Sequence, residues 1–174
     1  MKMDDKPHFV MKKWFFIWIC LVSCLLLCPL ANASGIISGT ISLTMPNGQV
    51  RPGDWIRTLL VRSQVEVPAL SLKDKMNPYQ RMEIIRELHM TFFIAVRQKM
   101  SEPAFVVQSV LTTPEGVFQF PGVPPGNYYL LVTFPAMVKD HKVAWQIPVT
   151  VVDDQTTRVE LNDENLLMPT YTRN

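Results

Sequence analysis

Cysteine and histidine are scarce in this chain, with three of each among 174 residues. All three cysteines fall within the first 33 residues, so residues 34–174 have no thiol. This absence excludes disulfides, thiolate metal sites and cysteine nucleophiles from most of the chain. The two histidines that remain there, His89 and His141, lack a second histidine or a carboxylate at ligand spacing. No metal or other cofactor is therefore expected.

An excess of charge of either sign is also missing from residues 34–174. The formal net charge of +2 comes from the lysines and aspartates of the first 33 residues, and the basic and acidic residues beyond them are equal in number. Phosphate backbones are bound by clustered, uncompensated Lys and Arg, so a nucleic acid partner is not expected. The chain also lacks a Gly-x-Ser-x-Gly elbow and a phosphate-binding loop, which removes two common signatures of an enzyme.

Residues 1–33 have the pattern of a targeting segment. Two lysines precede an apolar run over residues 14–30, and the run ends in Ala31-Asn32-Ala33, the small-x-small pattern that a signal peptidase accepts. Cleavage between Ala33 and Ser34 is therefore predicted. The rest of the chain is expected in the periplasm or outside the cell.

Other interpretations of this leader stay open. The apolar run lies at the short end of the ~17–25 residues that a membrane span needs, so an uncleaved anchor is one alternative. Leu21-Val22-Ser23-Cys24 fits the lipid-modification box of bacterial lipoproteins, which makes lipidation at Cys24 another, although three leucines follow that cysteine. The native start is either Met1 or Met11. Export is expected in each case, and membrane attachment is expected only through the leader.

Residues 34–174 are long enough for one domain with a substantial core. Apolar and polar residues alternate there in short segments with turn signals between them, which is typical of β-strands. Seven strands are predicted, at residues 36–45, 55–67, 105–111, 117–120, 128–134, 143–152 and 157–161. Pro148 cannot donate a ladder hydrogen bond, so the sixth strand is expected at an edge. The predicted fold is all-β, an antiparallel seven-stranded sandwich.

One amphipathic α-helix is inserted into this strand pattern, within residues 68–102. Asn77 can cap the helix, Pro78 suits its first turn, and apolar residues recur at helical spacing up to Met100. The strand at 55–67 is apolar on both sides at its middle, so it is expected inside the sandwich or beneath this helix. The sequence leaves open whether the helix covers the sheet or exposes an apolar interface.

Five short motifs in the predicted strands and turns carry a family resemblance. They are Gly39-Thr40-Ile41, Asn47-Gly48-Gln49-Val50, Gly116-Val117-Phe118-Gln119-Phe120, Val123-Pro124-Pro125-Gly126-Asn127-Tyr128 and Val159-Glu160-Leu161. In these motifs, residues 36–162 resemble the carboxypeptidase regulatory-like domain, except for the helical insertion. The resemblance implies a transthyretin-like, seven-stranded sandwich and a non-catalytic role in secreted or periplasmic proteins. Because the Gly, Pro and aromatic residues of these motifs make turns and core, they indicate a fold rather than a ligand.

Three functions of different classes follow from these observations. The first is a non-catalytic binding or structural module of the cell envelope, whose partner is another envelope or secreted protein. The second is a carbohydrate-binding module that uses exposed aromatic side chains. A hydrolase is a distant third because the sequence shows no catalytic constellation, so the chain is not expected to be an enzyme. The expected interaction surface comprises Phe92, Phe93, Trp55 and Tyr79.

Overall fold

The computed structural model describes residues 34–67 and 76–172. The predicted leader lies outside these residues, so cleavage after Ala33, lipidation at Cys24 and the choice of start stay predictions. Residues 68–75, the first part of the predicted insertion, also lie outside them. Within the described ranges, no helix is long and apolar enough to span a membrane.

Eleven strands and one α-helix form in the described part of the chain. In chain order these are β1 (Gly35–Thr44), β2 (Val50–Pro52), β3 (Arg57–Val61), α1 (Pro78–Lys99), β4 (Val106–Leu111), β5 (Val117–Val123), β6 (Gly126–Val132), β7 (Met137–Val138), β8 (His141–Lys142), β9 (Trp145–Val151), β10 (Thr156–Leu161) and β11 (Tyr171–Thr172). Seven of the strands have five or more residues, and each of these overlaps one of the predicted segments. The prediction of an all-β sandwich with one inserted helix is confirmed.

Two sheets make the sandwich. In the first, β1 lies between β10 and β5 and also pairs with β2, and the second has the order β4-β3-β6-β9. Every pairing within them is antiparallel except that of β1 with β10, which run parallel from Ile36 beside Thr156 to Ile41 beside Leu161. This parallel pair arises because the chain crosses from β9 in one sheet to β10 in the other. Pro148 lies in β9, an edge strand as predicted.

The inner faces of the two sheets bury one apolar cluster. Trp145 is fully buried there, and its indole N–H donates to a backbone carbonyl at 3.0 Å. Phe118 and Phe120 pack edge to face with ring centroids 5.9 Å apart. Gly39 leaves room for this packing, because a Cβ at that position would collide with the Phe118 ring and the Val159 carbonyl oxygen. These motif residues therefore serve the core.

Helix α1 covers the outer face of the second sheet. Leu88, Phe92 and Val96 pack with Leu59 and Val61 of β3 in a second apolar cluster. The strand residue between those two belongs to the cluster inside the sandwich. The middle of β3 is therefore apolar on both sides because one face lines the sandwich and the other lies beneath the helix. The two placements that the sequence left open for this strand both hold, one for each face.

Strand β3 is shorter than the strand predicted at 55–67. It runs from Arg57 to Val61, since the residues before it form a turn and the chain after it leaves the sheet. Val65 is nevertheless buried, and its backbone N–H and C=O both bond the side-chain amide of Gln146, at 2.8 and 2.9 Å. A side chain of β9 thus replaces the ladder partner of this segment.

The ends of α1 agree closely with the predicted helix. Asn77 caps it by accepting a hydrogen bond from a first-turn N–H at 2.9 Å, and Pro78 is its first residue. Phe92 is fully buried, whereas Ile94 on another face is 51% exposed. Phe92 therefore lies in the core and not on the expected interaction surface, because helical spacing places it on the side that faces the sheet.

Replacing Phe92 by Ala is expected to lower the free energy of unfolding by about 3–5 kcal/mol, because the substitution leaves a cavity between helix and sheet. The matched change Ile94→Ala should cost less than about 1 kcal/mol, since that side chain already contacts water. Urea unfolding followed by tryptophan fluorescence measures both values. Equal losses for the two variants would contradict the assignment of Phe92 to the core.

Candidate functional site

A groove of about 590 Å³ opens beside helix α1, and its volume falls within the range of small-ligand sites. Three segments contribute most of its lining: the turn that leads into β3, the C-terminal half of α1, and the loop after β6. Leu111 of β4 adds to it. Its principal side chains are Asp54, Trp55 and Arg57 from the first segment, Phe93 and Arg97 from the second, and Phe134 from the third. Because one wall is helical, the groove depends on the insertion.

Trp55 has the most exposed aromatic ring in the groove, with 65% of the residue's surface accessible. Its backbone has a φ of +54°, in the left-handed region, where a residue other than glycine is strained by roughly 1–2 kcal/mol. An exposed, strained position offers a tryptophan no stabilisation from burial. Such backbone outliers cluster at functional sites, which makes Trp55 the first candidate for ligand contact.

The turn that carries Trp55 is held on both sides by the buried hydroxyl of Thr112. This hydroxyl donates to the Gly53 carbonyl at 2.5 Å and accepts from the Ile56 N–H at 2.8 Å. Gly53 packs so closely on Ile41 that a Cβ would lie 2.5 Å from that side chain. These contacts fix the backbone before and after Trp55, and they offset the strain at that residue.

The opposite wall of the groove is aromatic and basic. Phe93 and Phe134 pack edge to face, with ring centroids 5.2 Å apart. The guanidinium of Arg97 lies 6.0 Å from the centroid of Phe93, and the ammonium of Lys142 lies 4.5 Å from that of Phe134. Both cations are within the range of cation–π attraction. The wall therefore combines an apolar surface with the hydrogen-bond donors of Arg97.

The four residues of the expected interaction surface occupy three places. Trp55 and Phe93 come together in the groove, although they are distant in sequence. Phe92 lies in the core, next to Phe93 in sequence but on a different face of the helix. Tyr79 is 88% exposed at the start of α1 and does not line the groove. A role for Trp55, Phe93 and Tyr79 in binding stays a proposal.

Sequence analysis missed four of the principal groove residues, one of which, Asp54, directly precedes Trp55 in sequence. Arg57 follows Trp55 by two positions, and alternation along the predicted strand places both on one side, but Arg57 was not assigned a role in binding. Arg97 follows Phe93 by one helical turn, which was also a usable signal. Phe134 had no local signal, because it reaches the groove only through the path of the loop after β6.

His89 is buried, with 3% of its surface exposed, and it joins α1 to the C-terminal segment. Its Nε2–H donates to the Pro169 carbonyl at 2.9 Å, and its ring packs edge to face with that of Tyr171 at 5.0 Å between centroids. Burial lowers the pKa of His89 below its usual 6.5. The hydrogen bond to Pro169 raises this pKa in part, and the positive charge of Lys142 lowers it further. Over residues 34–67 and 76–172, no three potential ligands among His, Cys, Asp and Glu are clustered as a metal site requires.

No protein-family model and no curated protein matches the sequence. The chain is similar in structure to a Pseudomonas aeruginosa protein described as a candidate carbohydrate-binding protein, with 17% identity, a TM-score of 0.43, and coverage of 91% of this chain and 99% of that one. It is also similar to a minor pilin of Streptococcus agalactiae, with 11% identity, a TM-score of 0.44, and coverage of 82% of this chain and 49% of that one. These likenesses establish neither a family nor a ligand, and the relation to the carboxypeptidase regulatory-like domain stays a resemblance.

Replacing Thr112 by Val should lower the free energy of unfolding by about 1–3 kcal/mol, because it leaves the Gly53 carbonyl and the Ile56 N–H without their partner. The neighbouring change Thr113→Val removes only an exposed hydrogen bond of 3.3 Å and is expected to cost less than about 1 kcal/mol. Urea unfolding compares the two, and amide exchange should accelerate at Ile56 in the first variant alone. An unchanged exchange rate would mean that Thr112 does not hold the turn.

Stability should fall as the pH is lowered through the usual histidine pKa of 6.5, because His89 has a depressed pKa in the folded state. The unfolded chain then binds a proton that the folded chain does not, so the contribution is fully present above pH 6.5 and is lost below it. Urea unfolding at a series of pH values measures this slope. His89→Gln should flatten it, and a slope that survives His89→Gln belongs to another group.

Proposed function

We propose that this chain is a non-catalytic binding module that acts outside the cytoplasm and holds a carbohydrate in the groove beside Trp55. The observation that carries the proposal is an exposed tryptophan, kept in a strained turn by buried hydrogen bonds, at the mouth of a groove of small-ligand size. The location rests on the predicted leader, and the non-catalytic role agrees with what the family resemblance implies.

A sugar suits this groove because it offers an apolar ring face and a rim of hydroxyl groups. The apolar face can stack on an indole ring, which presents the largest flat apolar surface of any side chain. Covering the exposed part of Trp55 would remove apolar surface from water, at roughly 25 cal/mol per Å². Asp54 and Arg97 can then accept from and donate to the hydroxyl groups.

The acidic side chains that line the groove favour binding of a sugar over its hydrolysis, because they are too few. Glycoside hydrolysis generally uses two carboxyl groups that flank the scissile bond. The lining contributed by the described residues contains one carboxylate, Asp54, and no histidine. The groove can therefore orient a sugar, but this lining does not supply the acid and base pair that would cleave one.

A protein partner is the second candidate, and the outer face of α1 supports it. Met82, Met90 and Ile94 are exposed there, and Tyr79 is exposed at the start of the same helix. Methionine side chains are flexible and polarisable, so they adapt to the shapes of different protein surfaces. Such a partner would be another envelope or secreted protein, and it would contact helix residues that do not line the groove.

Trp55→Gly is expected to weaken binding to an immobilised oligosaccharide array by at least about tenfold, because it removes the stacking platform. Glycine also adopts positive φ without strain, so the free energy of unfolding should stay within about 1 kcal/mol of the native value. Tyr79→Ala is the matched control, since Tyr79 is exposed but lies outside the groove. Undiminished binding by Trp55→Gly would exclude the groove as the sugar site.

A further inference from the structure

We propose that the sugar in the groove is acidic, and that Arg57 and Arg97 bind its carboxylate while its ring stacks on Trp55. This inference rests on the proposed function and narrows the ligand to one class, the saccharides that contain uronic or sialic acid. The observation behind it is the charge of the groove. The groove has more basic than acidic side chains, whereas the two are equal in number over residues 34–174.

The two arginines approach the groove from different elements. Arg57 is the first residue of β3, two positions after Trp55, and it is exposed. Arg97 comes from the last turn of α1 and is also exposed, with its guanidinium above the ring of Phe93. A ligand beside Trp55 would therefore lie in a groove that has the guanidinium of Arg57 on its strand side and the guanidinium of Arg97 on its helix side.

Neither arginine is neutralised within the described part of the chain. The ion pairs there are Arg86 with Glu83 and Lys99 with Glu102, both on or just after α1 and neither with a groove arginine. The lining holds one carboxylate, Asp54, which forms no ion pair with Arg57 or Arg97. Two guanidinium groups against one carboxylate leave the groove positive, which complements an anionic ligand.

The donor geometry of arginine specifies which anion fits. A guanidinium binds a carboxylate through two parallel N–H···O bonds, and such charge-assisted bonds are about twice as strong as neutral ones. The cation–π contact with Phe93 positions Arg97 without using its N–H donors. Those donors are therefore available to a ligand at little further cost in side-chain entropy.

Asp54 favours an acidic sugar over an acidic peptide. Next to Trp55 in sequence, its carboxylate can accept hydrogen bonds from the hydroxyl groups that surround a sugar carboxylate. A run of acidic side chains would instead bring several like charges to Asp54, with few donors to offset the repulsion. One carboxylate among hydroxyl groups matches the two arginines and one aspartate of the groove.

The test compares acidic oligosaccharides with their own methyl esters, which keep the ring and lose the charge. The probes are oligosaccharides of galacturonic, glucuronic and sialic acid, each as acid and as ester, and a poly-glutamate peptide of similar length. The acid form of at least one sugar is expected to bind about tenfold or more tightly than its ester, because the ester loses the charge-assisted bonds. Calorimetry and an immobilised array measure the affinities.

Arg57→Gln and Arg97→Gln should each reduce the affinity for the acid by a larger factor than the affinity for the ester, so that the preference for the acid falls. Arg86→Gln is the matched control, because Arg86 lies on the same helix and already pairs with Glu83. Arg86→Gln should not alter the preference for the acid over its ester. Loss of folding is checked by urea unfolding, and all three arginines are exposed, so the fold is expected to survive.

Each contrary result identifies what fails. Equal affinity for acid and ester, with both lost in Trp55→Gly, overturns the acidic ligand and leaves the proposed function standing. Poly-glutamate that binds as tightly as the acidic sugar, with the same dependence on Arg57 and Arg97, overturns the assignment to a saccharide. If the folded protein binds none of these sugars and no neutral oligosaccharide, both the inference and the proposed function fail.

Discussion

The packing of helix α1 on the outer face of the second sheet is the contact on which the other features depend. Phe92 and Val96 cover Leu59 and Val61, residues that alternate with one facing the interior of the sandwich. Without the helix, β3 would expose an apolar face, the groove would lose a wall, and the contact through which His89 holds the C-terminal segment would be lost. The stability of the fold and the integrity of the candidate site are therefore set by the same buried surface.

The residues that hold the groove in shape differ from those that can contact a ligand. Thr112 and Gly53 are buried and hold the turn through hydrogen bonds and close packing, while Trp55 and Arg57 are exposed. This division lets the exposed residues vary in ligand preference without loss of the fold. A platform held in advance also loses little conformational entropy when a ligand binds, which is how a small groove can bind a weakly apolar ligand such as a sugar.

Most of the architecture could be predicted because strand and helix periodicities are local. The seven longer strands and the two apolar faces of β3 follow from the spacing of apolar residues. The Asn77 cap follows from an asparagine directly before a proline at the start of the helical spacing. The parallel pairing of β1 with β10 could not be predicted, since it depends on how the chain crosses between sheets. The groove was also out of reach, because Trp55, Phe93 and Phe134 meet only when three distant segments are placed together. Burial of Phe92, by contrast, was implicit in its helical spacing.

The pairing of β1 with β10 also has a consequence for the order of assembly. Ile36 lies beside Thr156, so the two strands come from opposite ends of the described chain. During synthesis, β1 is made well before β10, so one of its edges has no partner until most of the residues between the two strands have followed. Contacts so distant in sequence are formed slowly, and an unpaired edge is prone to association with other chains. Completion of the first sheet is therefore expected to be a late step of folding, and the unpaired edge of β1 is most exposed to association before that step.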